Sequence, residues 1–535
     1  MKKLATYLII LFFIFISIKS NAQTYPPFNI TAYDSTQSSG YYFFCPYKLS
    51  SFPTFPVGKQ HQMILDKDGN VVYYKNVVGY FAGDFKLQPN GVMSYCGRDY
   101  FYLMDSTFTV YDSITTLNGF YFDIHDLRIL ANGHFLILGV ENRTMDLSSY
   151  PLFLHNGTIG SANATVKGYV LQELDSAKNI VFEWHALDHY AFDDVDDFWL
   201  NDTLNVDWTH VNAIEQDYDG NFLVSSRHFD EITKINRADS SIIWRLGGKR
   251  NDFTFINDPD MFYSQHDCRR IANGHLTLFD NGRDLSIRHF ASSKEYELDE
   301  VNHIANLVWS HSEGPDEWSI SQGNTQRLSN GNTLTSYGNL TPTPIVFNVV
   351  DSVQNKVFEI MFPDSQISYR SFNFPSIPWQ LNRPQISCSS SGLQFYLTAD
   401  SGYAEYRWSN GETTQSVQVT STGSYSVFVP RGNGGFISSE KFDVVDVNDP
   451  CGTINVNGPS TMATLTLYPN PASQSLTLIS SQLLPENYEI LDQMGRKVKS
   501  GAIEKASRLQ LDISMLSNGM YILRADSFQK KFIKY

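Results

Sequence analysis

Residues 207–248 read DWTHVNAIEQDYDGNFLVSSRHFDEITKINRADSSIIWRLGG. An Asp-Gly turn at Asp219-Gly220, between runs of alternating apolar residues, signals a β-hairpin. With those two residues at the tip, Asn212 is predicted to lie directly opposite Arg227, and His210 shares their face because side chains alternate along a strand. An imidazole, an amide and a guanidinium then converge on one patch. Arginine offers forked, permanently charged donors, so the patch suits a tetrahedral oxyanion such as phosphate or sulfate. The plainer alternative is an exposed polar sheet face.

A second pattern adds two more histidines. Residues 125–138 read HDLRILANGHFLIL and residues 266–279 read HDCRRIANGHLTLF. Each sets a histidine at the head of a strand that runs into an Asn-Gly hairpin. Weaker copies at 81–95 and 323–337 carry Gly83 and Gly323 in the histidine register. A histidine serving the repeated scaffold would stand in every copy or in none. His125 and His266 are therefore candidates placed for chemistry. Asp126 and Asp267, one residue on, are expected on the opposite strand face and in structural roles.

Residues so far apart meet only if the scaffold gathers them. From about residue 23 to 383 the chain repeats a hairpin followed by an aromatic strand, with turn tips near 69, 91, 133, 220, 274 and 331. Repeats of roughly 40–50 residues built from four short strands indicate a β-propeller. Six blades fit the length better than five or seven. The innermost strands of a propeller face a central channel, where histidines from separate blades can meet. Side chains exposed on that channel are expected to add little to stability.

The remaining sequence bounds the setting. The 535 residues carry a formal net charge of −16, which disfavours nucleic acid or an anionic membrane as a general partner. Lys2 and Lys3, the apolar run Leu8 to Ile18 and Ser20-Asn21-Ala22 read as a secretory signal over 1–22. No other stretch is long enough to cross a bilayer. Export permits disulfides: Cys388 with Cys451 is the favoured pair, Cys45 with Cys96 a weaker one, and Cys268 a buried free thiol. Residues 185–206 hold His185, His189 and Asp193, Asp194, Asp196 and Asp197. They read as a solvated acidic loop in preference to a calcium site. Residues 384–451 look like a small β-sandwich, Ig-like in its lone Trp408. A polar linker follows at 452–464, then a separate β segment at 465–535 with a basic end. The expected fold is all-β: a six-bladed propeller, a small sandwich and a C-terminal sandwich.

The spaced motifs DWTHVNAI, LVSSRH, KINRADSSIIWRLGG and QHDCRRIANGHLTLFDNG resemble, over about residues 60–345, the bacterial arylsulfotransferase family. The resemblance implies an exported enzyme that moves sulfate between phenols without a nucleotide donor or other cofactor. It implies a transiently sulfated histidine, which falls on His266. The supporting oxyanion binders fall on His210, Asn212 and Arg227, and His125 matches the remaining active-site histidine. Gly282 matches the strand end after the nucleophile. The tail, with Tyr468-Pro469-Asn470-Pro471, a Met494-Gly495 turn and Gly519-Met520-Tyr521, resembles the sorting domain of type IX secretion in Bacteroidetes. This implies a secreted or surface-held protein that engages the type IX machinery and loses its tail on the way.

Two rival readings keep the same residues. A cell-surface propeller could bind sulfated or carbohydrate ligands without turnover, since fold alone does not set function. Three imidazoles, His125, His210 and His266, could bind zinc, but Arg227 in the same pocket would repel the cation.

Overall fold

The computed structural model describes residues 25–49, 56–57, 60–77, 82–150, 159–282, 290–363, 366–432, 434–448 and 450–451. In the C-terminal stretch it describes 465–468, 472–480, 487–492, 496–503, 508–525 and 528–534. The signal segment, the linker, Pro469-Asn470-Pro471 and the Met494-Gly495 turn lie outside the described residues. The fold is all-β, and among the described residues the helical elements are short turns such as Ala186–His189, Asp197–Trp199 and Arg227–Phe229. The expected hairpin tips are in place: Gly69, Gly91, Gly133, Gly220, Gly274 and Gly331 all take the positive φ that glycine adopts without steric cost.

Contacts divide the chain after Cys451. In the first unit, an antiparallel run of four strands recurs in five sheets, three of which gain a fifth strand: Asn205–Asp207 and Thr254–Ile256, both parallel, and Asn29–Tyr33, antiparallel. The sheets begin at Gly83–Leu87, Tyr121–Ile129, Val211–Gln216, His266–Arg270 and Asn324–Arg327. A further sheet takes Ile367–Phe374 from the end of this region. It pairs that strand with Tyr41–Leu49 from the beginning, which continues through Gln60–Asp66 to Val71–Val77. The first strands of these sheets touch one another in a closed circuit, from Gly83–Leu87 round to Ile367–Phe374 and back. The apolar cores lie between neighbouring sheets. Leu136 and Leu138 pack with Phe222 and Val224, and Leu223 and Trp244 pack with Leu276 and Leu278. The propeller-like expectation holds, and the closed circuit brings distant strand ends together.

Residues 384–451 do not stand apart. Gly435–Ser438 pairs with Val71–Val77 and so extends the closing sheet. Trp408 and Val429 share a core with Phe43 and Tyr73. The apolar edge left by Val71–Val77 is covered by these strands, so the segment belongs to the first unit. Cys388 and Cys451 form the expected disulfide. Cys45, Cys96 and Cys268 are free and buried, which corrects the weaker pairing of Cys45 with Cys96. The described residues of the second unit form two sheets around Leu476, Leu478, Ile490, Leu523 and Phe532. Among the described residues no helix is long and apolar enough to cross a membrane.

A buried ion set ties the circuit together. Asp84, Asp126 and Asp267 meet Lys86, Arg269 and Arg370 in the centre. Lys86 binds Asp84 (2.7 Å) and Asp126 (2.8 Å), Arg269 binds Asp126 (2.7 Å) and Asp267 (2.6 Å), and Arg370 binds Asp84 (3.0 Å) and Asp267 (3.2 Å). The aspartates after His125 and His266 thus have the structural role expected of them. Burial opposes ionisation of Asp126, but Arg269, Lys86 and Arg370 outweigh it and hold the carboxyl well below the usual range. Removing one partner of such a set strands a buried charge. Arg370→Met should therefore cost about 3–5 kcal/mol, read as a fall in denaturation midpoint. A midpoint within error of wild type would show that the set contributes nothing to the ring.

Candidate active site

The 207–248 hairpin forms one residue out of the expected register. Asp217 N–H donates to Asn221 O and Gly220 N–H to Asp217 O, so the loop is Tyr218–Gly220, with Gly220 left-handed. This three-residue turn with its glycine bulge replaces the assumed two-residue one. A second bulge falls between Val211 and Ala213. As a result Arg227 lies opposite His210, its N–H donating to His210 O at 3.1 Å, and Asn212 lies off the pair. Arg227 has also left the strand, opening the helical turn Arg227–Phe229.

His266 heads its strand and is buried, with 1% of its surface exposed. Its Nδ1 lies 2.7 Å from Asn281 Oδ1 and 3.0 Å from Ser264 O. Both are placed as acceptors, so Nδ1 carries the proton and Nε2 carries the lone pair. Nε2 accepts the Gln322 N–H at 3.1 Å. Burial, then the positive Arg227 nearby, push the imidazole well below its ordinary pKa, so it is neutral. Gly282, two residues past the end of the partner strand Leu276–Asp280, has φ +66. A Cβ there would lie 2.0 Å from Phe290 O, so only glycine fits.

The other two histidines are each oriented by an upstream carboxylate. His125 Nδ1–H donates to Asp123 (2.8 Å) and His210 Nδ1–H to Asp207 (2.7 Å). Their rings lie 5.0 Å apart between centroids. Burial lowers the His210 pKa against the opposing pull of Asp207. Tyr169 and Tyr369 flank His125, and Tyr169 also flanks His210.

Arg227 is buried, contrary to the exposed channel residue expected. Its Nη2 donates to Ile320 O (2.8 Å), its Nη1 lies 2.9 Å from His228 Nε2, and its guanidinium sits 4.3 Å over the Trp199 ring. Asn212 is fully buried, and its amide donates to Gln265 O at 2.7 Å, so one donor expected to face an anion is committed to the backbone. The structure thus brings His125, His210, Arg227 and His266 to one centre, with Asn212 behind it.

Several residues at this centre escaped the sequence reading. Asp123 and Asp207 were legible as carboxylates two and three residues ahead of a histidine. Asn281 and Gln322 were not, because they arrive from other strands. Trp199 comes from the 185–206 loop, in which Asp193 and Asp197 are exposed as expected while Asp194 is buried against Arg245 (2.9 Å) and Arg250 (2.7 Å). Asp207, His210 and His228 present three ligand-type atoms within 4.8 Å of one another. Arg227 on His228, and Asp207 on His210, make that set a hydrogen-bonded one.

Circuit and centre together define an all-β, propeller-like protein with a buried histidine–arginine site. Residues 31–370 match the family described as Arylsulfotransferase (ASST), and residues 466–535 match the secretion system C-terminal sorting domain. The chain belongs to the arylsulfotransferase family and carries a secretion sorting tail, which makes it a secreted or cell-surface protein. It is 25% identical over 195 residues to arylsulfate sulfotransferase AssT of Escherichia coli O6:H1, a match covering 30% of this chain and 32% of that relative. The match therefore spans about a third of the curated relative's length. A protein of unknown function from Bacteroides caccae is similar in structure, with 12% identity, TM-score 0.38, and coverage of 62% of this chain and 98% of that one. For a virginiamycin B lyase from Staphylococcus aureus the figures are 10%, 0.25, 77% and 99%.

Proposed function

We propose that the protein transfers a sulfuryl group from an aryl sulfate ester to a phenolic acceptor through a sulfohistidine at His266. The observation that carries this reading is the fixed tautomer of His266: a neutral imidazole whose lone pair lies on Nε2, held by Asn281. Nε2 attacks sulfur, the N–S bond forms, and the S–O bond to the aryl group breaks, releasing phenolate. Entry of the donor exchanges the Gln322 N–H on Nε2 for that bond. The acceptor's oxygen then attacks sulfur, its proton passing to a neighbouring imidazole, and the N–S bond breaks. His210, set by Asp207, and His125, set by Asp123, are the bases in reach of the centre. Arg227 offsets negative charge on the sulfuryl oxygens. No step calls for a cofactor or nucleotide donor.

The test is incubation with 4-nitrophenyl sulfate, with and without phenol. Release of nitrophenol that accelerates with phenol is the expected result. Tight binding of sulfated ligands without release would favour the non-catalytic binding protein instead. Because His266 stays neutral below the ordinary imidazole pKa of about 6.5, the acid limb of the rate profile should fall below that pH. We further propose that the tail from about residue 465 is removed on export. Peptide mapping of the secreted form should end before it, and recovery of Tyr535 there would contradict this.

A further inference from the structure

The centre contains one histidine, the last residue of LVSSRH, to which neither the resemblance nor the proposed reaction gives a role. His228 is buried and follows Arg227 directly. Its Nδ1 lies 2.5 Å from Asp207 O, a carbonyl that can only accept, so Nδ1 carries the proton. Its Nε2 lies 2.9 Å from Arg227 Nη1, a guanidinium nitrogen that can only donate, so Nε2 offers its lone pair. Both contacts are satisfied together only by the neutral imidazole. The ring stacks on Trp199 at 3.8 Å and 14°. Asp196 N–H donates to His228 O at 2.9 Å, which ties the same loop to the same residue.

We propose that His228 is a positioning residue: clamped between Asp207 O and Trp199, it accepts one Arg227 N–H and so fixes the plane in which the guanidinium meets the sulfuryl oxygens. The proposal rests on the sulfotransferase reading for its chemistry. A guanidinium is useful to a planar, forked contact only when its rotation is arrested. Three contacts arrest it here: Ile320 O at one nitrogen, His228 at the other, and the Trp199 face beneath. Asp207 joins the two halves of the site, because its carboxylate sets His210 while its carbonyl sets His228. Burial, then His210 nearby, hold His228 well below the ordinary imidazole pKa, consistent with its role as an acceptor. The charged and titratable groups facing it are Arg227, His210 and Asp207.

Substitutions separate positioning from packing. A glutamine amide oxygen reaches where Nε2 lies and can still accept from Arg227. An asparagine reaches only where Nδ1 lies and keeps the Asp207 anchor without the Arg227 contact. Phenylalanine keeps the Trp199 stack alone. We would measure kcat, KM and melting temperature for His228→Gln, His228→Asn and His228→Phe with 4-nitrophenyl sulfate and phenol. Inorganic sulfate affinity would be measured by calorimetry on the same proteins. Glutamine should stay within about threefold of wild type, while asparagine and phenylalanine lose about 10- to 100-fold in kcat, less than the roughly 10²–10³-fold of an oxyanion donor removed outright. Sulfate affinity should follow the same order. Asparagine equal to wild type, glutamine no better than asparagine, or losses that track melting temperature alone would each overturn the proposal. If wild type itself transfers nothing, the sulfotransferase reading fails. The order of sulfate affinities then decides the clamp, and a flat order overturns it.

Discussion

His266→Ala is expected to lose acceptor-dependent transfer by at least about 10⁴-fold, the scale seen when a nucleophile is removed outright. His210 and His125 donate from Nδ1 to Asp207 and Asp123 and keep their Nε2 lone pairs for the acceptor's proton, while His228 turns its Nε2 to Arg227. The variant should still fold, because alanine removes hydrogen bonds to Asn281 and Gln322 but leaves the apolar cores between sheets intact. Nitrophenol release in the presence of phenol is the measurement. A variant keeping a tenth of the wild-type rate would remove His266 from the nucleophile's role. Asn281→Leu provides an inner control. It leaves the imidazole but removes the acceptor that sets its tautomer, so it should be slow, by about 10²-fold, without being dead.

Arg227 should give the second largest loss. Arg227→Ala removes a charged donor from the sulfuryl oxygens and is expected to cost about 10²–10³-fold in kcat. Arg227→Lys should recover little of it, because a point charge cannot reproduce a fork held between Ile320 O, His228 and Trp199. Stability will not be untouched, as an exposed residue would have allowed. The buried guanidinium leaves carbonyl and imidazole acceptors unmatched when it goes, a cost of about 1–3 kcal/mol. Turnover must therefore be compared well below each variant's melting temperature. If activity returns fully on cooling, Arg227 holds the turn together and does not act on the substrate.

What was legible in the sequence follows from how locally each feature is determined. The hairpin tips are local, set by Asn-Gly and Asp-Gly pairs, and each formed at its expected place with its glycine at positive φ, although the loop at Asp219-Gly220 is one residue longer than expected. The gathering of His125, His210 and His266 was legible because a repeat that closes on itself must bring equivalent strand heads together. The register at Asn212 was not, since one extra loop residue and one bulge shift every partner beyond them. Arg227 turned out buried because Trp199, from a loop that looked merely acidic, folds over it. The pairing of Asp194 with Arg245 and Arg250 that anchors this loop joins residues some fifty positions apart. Gln322 stands in no motif, and Asn281 and His228, although they lie within quoted motifs, have no spacing that shows what they touch. Their roles exist only once other strands arrive. Residues 384–451 looked self-contained because alternation within a segment does not show which outside edge it will cover.

The most direct test of the central claim is mass spectrometry of the protein after brief exposure to 4-nitrophenyl sulfate without acceptor. The account requires one added sulfuryl group, mapped to His266, that disappears when phenol is supplied. A label on any other residue, or no label on protein that is turning over donor, would contradict it.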